Sequence, residues 1–330
     1  MIMFKVKVKP IEVIPSNSHR IGFGRIMPFI LSEYYLSVLR MILLWLALSI
    51  SWHFFSGMTR YVSLGSAAFF GLGLYITAKY LEQSARGNFM PLPLPIILLL
   101  ASLVNFGLAL IIGLATLRIR GIYFAILTFG IAVVASMGVQ WWEIKITGTR
   151  GTYLPIFDSK TVYYSVLLAA LVAFLVTTIL RRSKFGLALR MIGECEDAAA
   201  HVGVDTSRYK ILGFAVSAML IGLMGGSFSI RFPYVEPTSA FSSDYSFLPA
   251  VITLLGGAGS VYGPILGAIM LSLLQEYLRV AFAHYFLIIL GVLLVLIVLF
   301  MPDGILGLIK SRKMIFAKKS GKTSPNLLNI

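Results

Sequence analysis

Charge and cysteine are what this sequence has little of. Only 12% of its 330 residues are charged, 13 of them are acidic, and Cys195 is the single cysteine. One cysteine excludes an internal disulfide and a multi-cysteine metal site. The acids, from Glu12 to Asp303, fall in loops or near the ends of apolar stretches, so none sits at mid-span to mark a proton or sodium path. Neither HExxH nor GxSxG occurs, and His19, His53, His201 and His284 are scattered. No GxxxxGKS/T loop is there to cradle a nucleotide, so any ATP must be hydrolysed on another chain. No catalytic residue, metal or cofactor is expected. Residues 1–20 show neither an apolar core nor a small-residue cleavage site, so no cleavable signal peptide is expected.

Apolar residues are what the sequence has in excess: 58% of the chain, with a mean hydropathy of +0.90. Stretches long enough to cross hydrocarbon recur near 34–54, 62–80, 92–117, 121–142, 161–180, 209–229, 263–280 and 284–300. A shorter one, 245–257, runs into LLGGAGSVYGP and reads as a broken or re-entrant segment. The fold class predicted is all-α, a polytopic membrane helical bundle of about nine membrane segments. Net charge is +15, which in a soluble chain would suggest nucleic acid; here it tests orientation instead. If residues 181–210 are cytoplasmic, strict alternation puts a roughly two-to-one excess of Lys and Arg on that side. No nucleic-acid partner is expected. The same alternation leaves residues 1–28, with Lys5, Lys7, Lys9, Arg20 and Arg25, on the opposite side. The chain divides into that basic N-terminal segment, a transmembrane unit at 29–309 and a basic polar tail at 310–330 suited to anionic membrane lipid.

Within the spans, glycines cluster. Lipid gives helices no hydrophobic reason to associate, so close packing through small residues is the first reading of Gly71, Gly73, Gly222, Gly225 and Gly226. A second reading applies to Gly256, Gly257 and Gly259, which can break a helix and turn free backbone groups toward a polar solute path. Arg40, inside the first segment, is expected to snorkel to the interface.

The segment RRSKFGLALRMIGECEDAAAHVGVDTSRYK, residues 181–210, lies between two apolar spans. Ala198, Ala199 and Ala200 favour helix, the acids Glu194, Glu196 and Asp197 suit its start, and Gly203 suits its stop. A short surface helix is predicted, either an ordinary solvated loop element or a docking knob.

Asp197-Ala198-Ala199, then three residues and Gly203, resembles the EAA loop of ABC importer permeases, with Asp for the usual Glu. The likeness extends further. VSLGSAAFFGLGLY at 62–75 and LRIRGIYFAILTFGIA at 117–132 are similar to the N-terminal half of LivM-type branched-chain amino-acid permeases. Residues 183–226, LLGGAGSVYGPILGAIM at 254–270 and MPDGILGL at 301–308 are similar to the C-terminal half, and the likeness covers about 28–310 in matching order. Ser66 stands where the family usually has His, and Arg150 where an acid is common. The resemblance implies a permease subunit in the cell inner membrane importing branched-chain or related aliphatic amino acids. The partners it implies are a second homologous permease, two ATP-binding subunits and an extracytoplasmic substrate-binding protein. Glu196, Asp197, Ala198, Ala199 and Gly203, flanked by Arg190 and Arg208, would form the coupling helix that meets the ATPase. Ser63, Gly65 and Ser66 join Gly256, Gly257 and Gly259 as pathway candidates. A urea or short-amide permease of the same family, and a secondary carrier working alone, are the alternatives.

Overall fold

A backbone crossing hydrocarbon must satisfy its own N–H and C=O groups, and helices do so within a single segment. The computed structural model describes residues 33–282 apart from Thr147, Thr149, Ala258 and Val261, together with Tyr285, residues 288–292 and Gly304. The segments 1–28 and 310–330 lie outside the described residues. In chain order the helices are α1 (Glu33–Trp52), a π turn (His53–Gly57), α2 (Ser66–Ala85), α3 (Leu94–Thr116) and α4 (Ile122–Ile146). Then come α5 (Ser159–Arg182), α6 (Lys184–Glu194), α7 (Glu196–His201), α8 (Thr206–Ser229), α9 (Pro237–Ala240), α10 (Asp244–Gly256) and α11 (Tyr262–Ala281). Two short strands, β1 (Thr152–Tyr153) and β2 (Tyr234–Val235), pair antiparallel with Thr152 opposite Val235 and Tyr153 opposite Tyr234.

The all-α membrane bundle is as the composition demands, and of the nine segments expected the described residues bear out six as spans. Among the described residues six helices are long and apolar enough to cross a membrane: Glu33–Gly57, Leu94–Thr116, Ile122–Ile146, Ser159–Arg182, Thr206–Ser229 and Tyr262–Ala281. Helix α2 has the length, at 20 residues, but Lys79, Glu82 and Gln83 dilute its apolar run. Helix α10 is only 13 residues long and carries Pro249, so it enters the bundle without crossing it. Of the stretch expected at 284–300, only Tyr285 and residues 288–292 are among the described residues.

Helix α8 is the hub. It packs on α1, α2, α3 and α5. The reason is its glycines. A Cβ on Gly73 of α2 would fall on the carbonyl oxygen of Gly222, and one on Gly225 would fall on that of Phe70. A Cβ on Gly222 would strike the Asn105 amide of α3. Two backbones therefore touch directly, which is the packing reading of these glycines. Around the contact, Phe70 stacks on Tyr245 at 3.9 Å, and Phe214 meets Phe55, Phe69 and Phe124 edge-on.

The β ribbon is tied to the bundle by Glu143, near the end of α4 and fully buried. Its carboxylate accepts from Tyr75 Oη at 2.7 Å, Gly151 N at 2.8 Å and Thr152 Oγ1 at 3.0 Å, and pairs with Lys79 Nζ at 3.1 Å. A buried carboxylate persists only when its lone pairs are met in this way. Arg40 departs from expectation. It is 7% exposed, turned into the bundle instead of out to the interface. Its neighbours Leu36 and Leu44 on α1 are buried too, so that whole face meets protein.

The glycine contact yields a direct test. Gly73→Val should cost about 3 kcal/mol through overpacking against a backbone that cannot yield, read as a lower unfolding temperature in detergent. Gly107→Val, where a Cβ meets open space, is the control and should unfold within a degree or two of wild type.

Candidate functional site

Helix α5 ends at Arg182, and α6 turns back beneath the bundle. The turn is tight, because a Cβ on Gly186 would press on Arg181 Cα and on the Leu180 carbonyl. Gly186, Ala188, Leu189 and Ile192 form the buried face of α6, while Lys184, Leu187 and Arg190 stay exposed. Gly193 permits the closest approach: a Cβ there would fall on the carbonyl oxygen of Met58, just past the π turn.

Helix α7 follows at Glu196–His201, as the alanine run predicts. Gly203 ends it with φ +87°, its N–H bonding Ala200 O at 3.0 Å while Val204 N bonds Ala199 O at 3.1 Å. That is a Schellman cap, and it explains the glycine, since other residues pay strain at such a φ. Ala199 is buried against the bundle, whereas Asp197, Ala198, His201, Val202 and Gly203 face outward. Cys195, a free thiol, is exposed just before the helix. Arg208 is exposed and pairs with Asp205 at 2.8 Å.

Glu196 plays a different part. Its carboxylate accepts from Lys210 Nζ at 2.6 Å and from Tyr61 Oη at 2.6 Å, with Arg120 Nε 3.7 Å away. Lys210 Nζ also donates to Tyr61 Oη at 3.2 Å and lies 4.7 Å over that ring. Arg120 reaches Asp197 at 3.7 Å, and Arg60 reaches Glu194 at 3.1 Å. Three separate parts of the chain thus converge on α7, namely the segment after the π turn, the α3–α4 connection and the base of α8, and Arg60 ties the first of these to α6 as well. Burial alone would raise the Glu196 carboxyl, but the hydrogen bonds from Lys210 and Tyr61 and the charges of Lys210 and Arg120 prevail and hold it below the ordinary range. Burial first, then the hydrogen bond to Glu196 and its charge, pushes the Tyr61 hydroxyl up.

Sequence reasoning counted Arg60, Arg120 and Lys210 only as cytoplasmic charge, and it passed over Tyr61. No spacing could have paired Tyr61 with a residue 135 positions on.

The pathway candidates divide. Ser63, Gly65 and Ser66 lie together at the start of α2, deep in the protein. The free N–H groups there are met from several elements: Ser56 Oγ accepts from Ser63 N at 3.1 Å, Thr128 Oγ1 from Leu64 N at 3.0 Å, and Ser246 Oγ from Ala67 N at 3.0 Å. Trp52 Nε1 donates to Ser63 O at 2.7 Å. Beside this start is a cavity of about 250 Å³ lined by Ala67, Ala132, Ser136, Gln140, Thr238 and Phe241 among others. Gly256, Gly257 and Gly259 lie at the far end of α10. A Cβ on Gly256 would fall on Gly263 O, Gly257 has φ +106°, and Gly259 has open space around it.

Residues 34–298 match the family described as branched-chain amino acid transport system / permease component. The chain belongs to that family. It is 26% identical over 311 residues to the high-affinity branched-chain amino acid transport system permease protein LivM of Salmonella typhimurium, and 25% identical to LivM of Escherichia coli. Each alignment covers 84% of this chain and 71% of the relative. A more distant match is the xylose transport system permease protein XylH of Haemophilus influenzae, 28% identical over 36% of this chain and 33% of that one. No solved structure gives a significant match. The chain is a LivM-type permease and a multi-pass membrane protein, of a family of transport components rather than enzymes.

Lys210 carries the prediction here. Lys210→Met removes the strongest partner of Glu196 and should cost about 3 kcal/mol, while Lys210→Met with Glu196→Gln should recover part of it because no buried charge is stranded. Hydrogen exchange at residues 199–204 reads the release of α7. Because the folded Glu196 carboxyl lies below its ordinary value of about 4.3, its contribution is full above that value and is lost as pH falls through the lower folded one. Acid should therefore lower the protection factors of residues 199–204 in wild type, taken against the intrinsic rates at each pH, and leave those of Glu196→Gln unchanged.

Proposed function

We propose that this chain is the transmembrane permease subunit, residues 29–309, of an ATP-driven importer for branched-chain or related aliphatic amino acids. It works in the cell inner membrane with a second homologous permease, two ATP-binding subunits on the cytoplasmic side and an extracytoplasmic binding protein that delivers the solute. The observation that carries the reading is α7, an outward-facing short helix of small residues held by Glu196 to the base of the most buried span. Ala198, Val202 and Gly203 offer a low, uncharged surface for an ATPase cleft, with Asp197, Arg190 and Arg208 around it. Closure of the ATPase pair would push α7, and the Glu196–Lys210–Tyr61 tie would pass the push to α8 and to the strand of chain that leads into Ser63, Gly65 and Ser66. The solute path runs past the start of α2 and the α10–α11 break at Gly256, Gly257 and Gly259.

Ala198→Trp tests the docking helix, since that side chain is exposed and the fold should survive. In proteoliposomes holding the whole importer, uptake should fall more than tenfold while ATP hydrolysis persists; unchanged coupled uptake would sink the reading.

One observation supports the second reading, a permease for urea or short amides. The side chains lining the cavity include Ser136, Gln140, Thr238 and Ser243 but no charged group, a better match for a neutral polar solute than for a zwitterion. Uptake of labelled leucine in the presence of excess isoleucine, valine, urea, acetamide or xylose separates the two. Inhibition by isoleucine and valine alone is the outcome expected of the amino-acid importer.

A further inference from the structure

Two arginines at the end of the bundle remote from α7 have no acidic partner among the described residues. Arg40 lies on α1, seven residues or about 10 Å from its start, is 7% exposed, and leaves its Nε without a hydrogen bond. Arg231 follows the end of α8; its guanidinium lies 3.2 Å from Met41 Sδ and 3.5 Å from Ser37 Oγ, between the rings of Phe228 and Phe232. Ser37, Arg40 and Met41 are spaced i, i+3 and i+4, so they share one helix face and bring the two guanidiniums onto it. Burial, then the Arg40 charge, lowers the hold of Arg231 on its proton.

Neither Glu33, which acts on Arg40 through its charge alone, nor Glu276 forms an ion pair with either arginine. Glu33 accepts from Ser159 at 2.7 Å, and Glu276 pairs with Arg279 at 3.7 Å. Two neighbouring cations held against an apolar bundle with no ion-paired carboxylate among the described residues are among the costliest arrangements a membrane protein can hold. An anion is what the pair lacks. The level in the membrane says which anion: Tyr34 and Tyr35 on α1 and Tyr277 on α11 are more than half exposed, with Phe282 beyond. Exposed aromatics gather where hydrocarbon meets headgroups, which is the depth of lipid phosphate.

We propose that Arg40 and Arg231 form a receptor for the phosphodiester of a membrane phospholipid, held at the corner where α1, the end of α8 and α11 meet. Guanidinium forks match phosphate oxygens geometrically and stay charged when partly buried. Arg231 is the approach, being only half-buried, and Arg40 sits behind it. The bound headgroup would join α1 to α8 at the end where Glu143 and the ribbon join α2 and α4.

The test uses the full chain, purified with its partner subunits in neutral detergent and titrated with phosphatidylglycerol. Bound lipid is read by native mass spectrometry. Wild type and Arg118→Gln, an exposed arginine at the opposite end, should retain one phospholipid per chain with equal affinity. Arg231→Gln should retain it roughly tenfold less tightly, and Arg231→Lys should fall between. Should Arg40→Gln fail to fold, the half-exposed Arg231 series still decides. Equal retention by wild type and Arg231→Gln overturns the proposal. So does wild-type protein stabilised against heat by leucine but not by phosphatidylglycerol, which would make the pair a receptor for a solute carboxylate.

Discussion

Between two apolar helices in lipid there is no hydrophobic force to draw on, so the bundle depends on how closely its backbones approach. The contact of α8 with α2 answers that constraint, with Gly73 against the Gly222 carbonyl and Gly225 against that of Phe70. Dispersion and backbone dipoles act over the shortest distances the chain allows, and aromatic rings fill the spaces left at either side. The remaining spans are arranged around this axis: α1, α3 and α5 close its flanks, α11 lies beyond, and α4, only 22% buried over its apolar window, stays at the periphery. That peripheral face, with Ile126, Val134 and Met137 exposed, is lipid-facing or awaits another apolar surface.

Charge is placed against this background with economy. Two of the acids that lie inside or against the bundle, Glu143 and Glu196, each collect several donors from distant parts of the chain and act as clasps, one at each end. Glu143 holds the ribbon to α2 and α4, and Glu196 holds α7 to α8. Neither is placed at mid-span.

How much of this was legible in the sequence depends on what kind of fact it was. Long apolar runs announce themselves, so six spans were found within a few residues of their bounds, and Gly203 was found as a helix stop because a positive φ restricts the residue type. Helix α2 was read as an ordinary span, although Lys79 and Glu82 belong to a polar network that dilutes it. Arg40 was misread because periodicity on a helix that is apolar on every side cannot tell lipid from protein. The partners of Glu196 were beyond reach altogether, since Tyr61 and Lys210 converge only once the bundle has formed. The family resemblance, by contrast, rested on short motifs in order along the chain, and those survive without knowledge of packing.

The glycine contact has a mechanical consequence. Lys210 lies 15 residues before Gly225, about 22 Å along a straight helix, while only four residues, about 6 Å, remain to the end of α8. A rigid rod pivoting at Gly225 would therefore work as a lever with arms in a ratio of about four to one. A displacement of some 4 Å at its base becomes only about 1 Å at the far end, but with proportionally greater force. In the importer proposed above, such a device would let an ATP-binding subunit move far and easily while the packed rings at the opposite end, Phe228 and Phe232, shift by a small, forceful step.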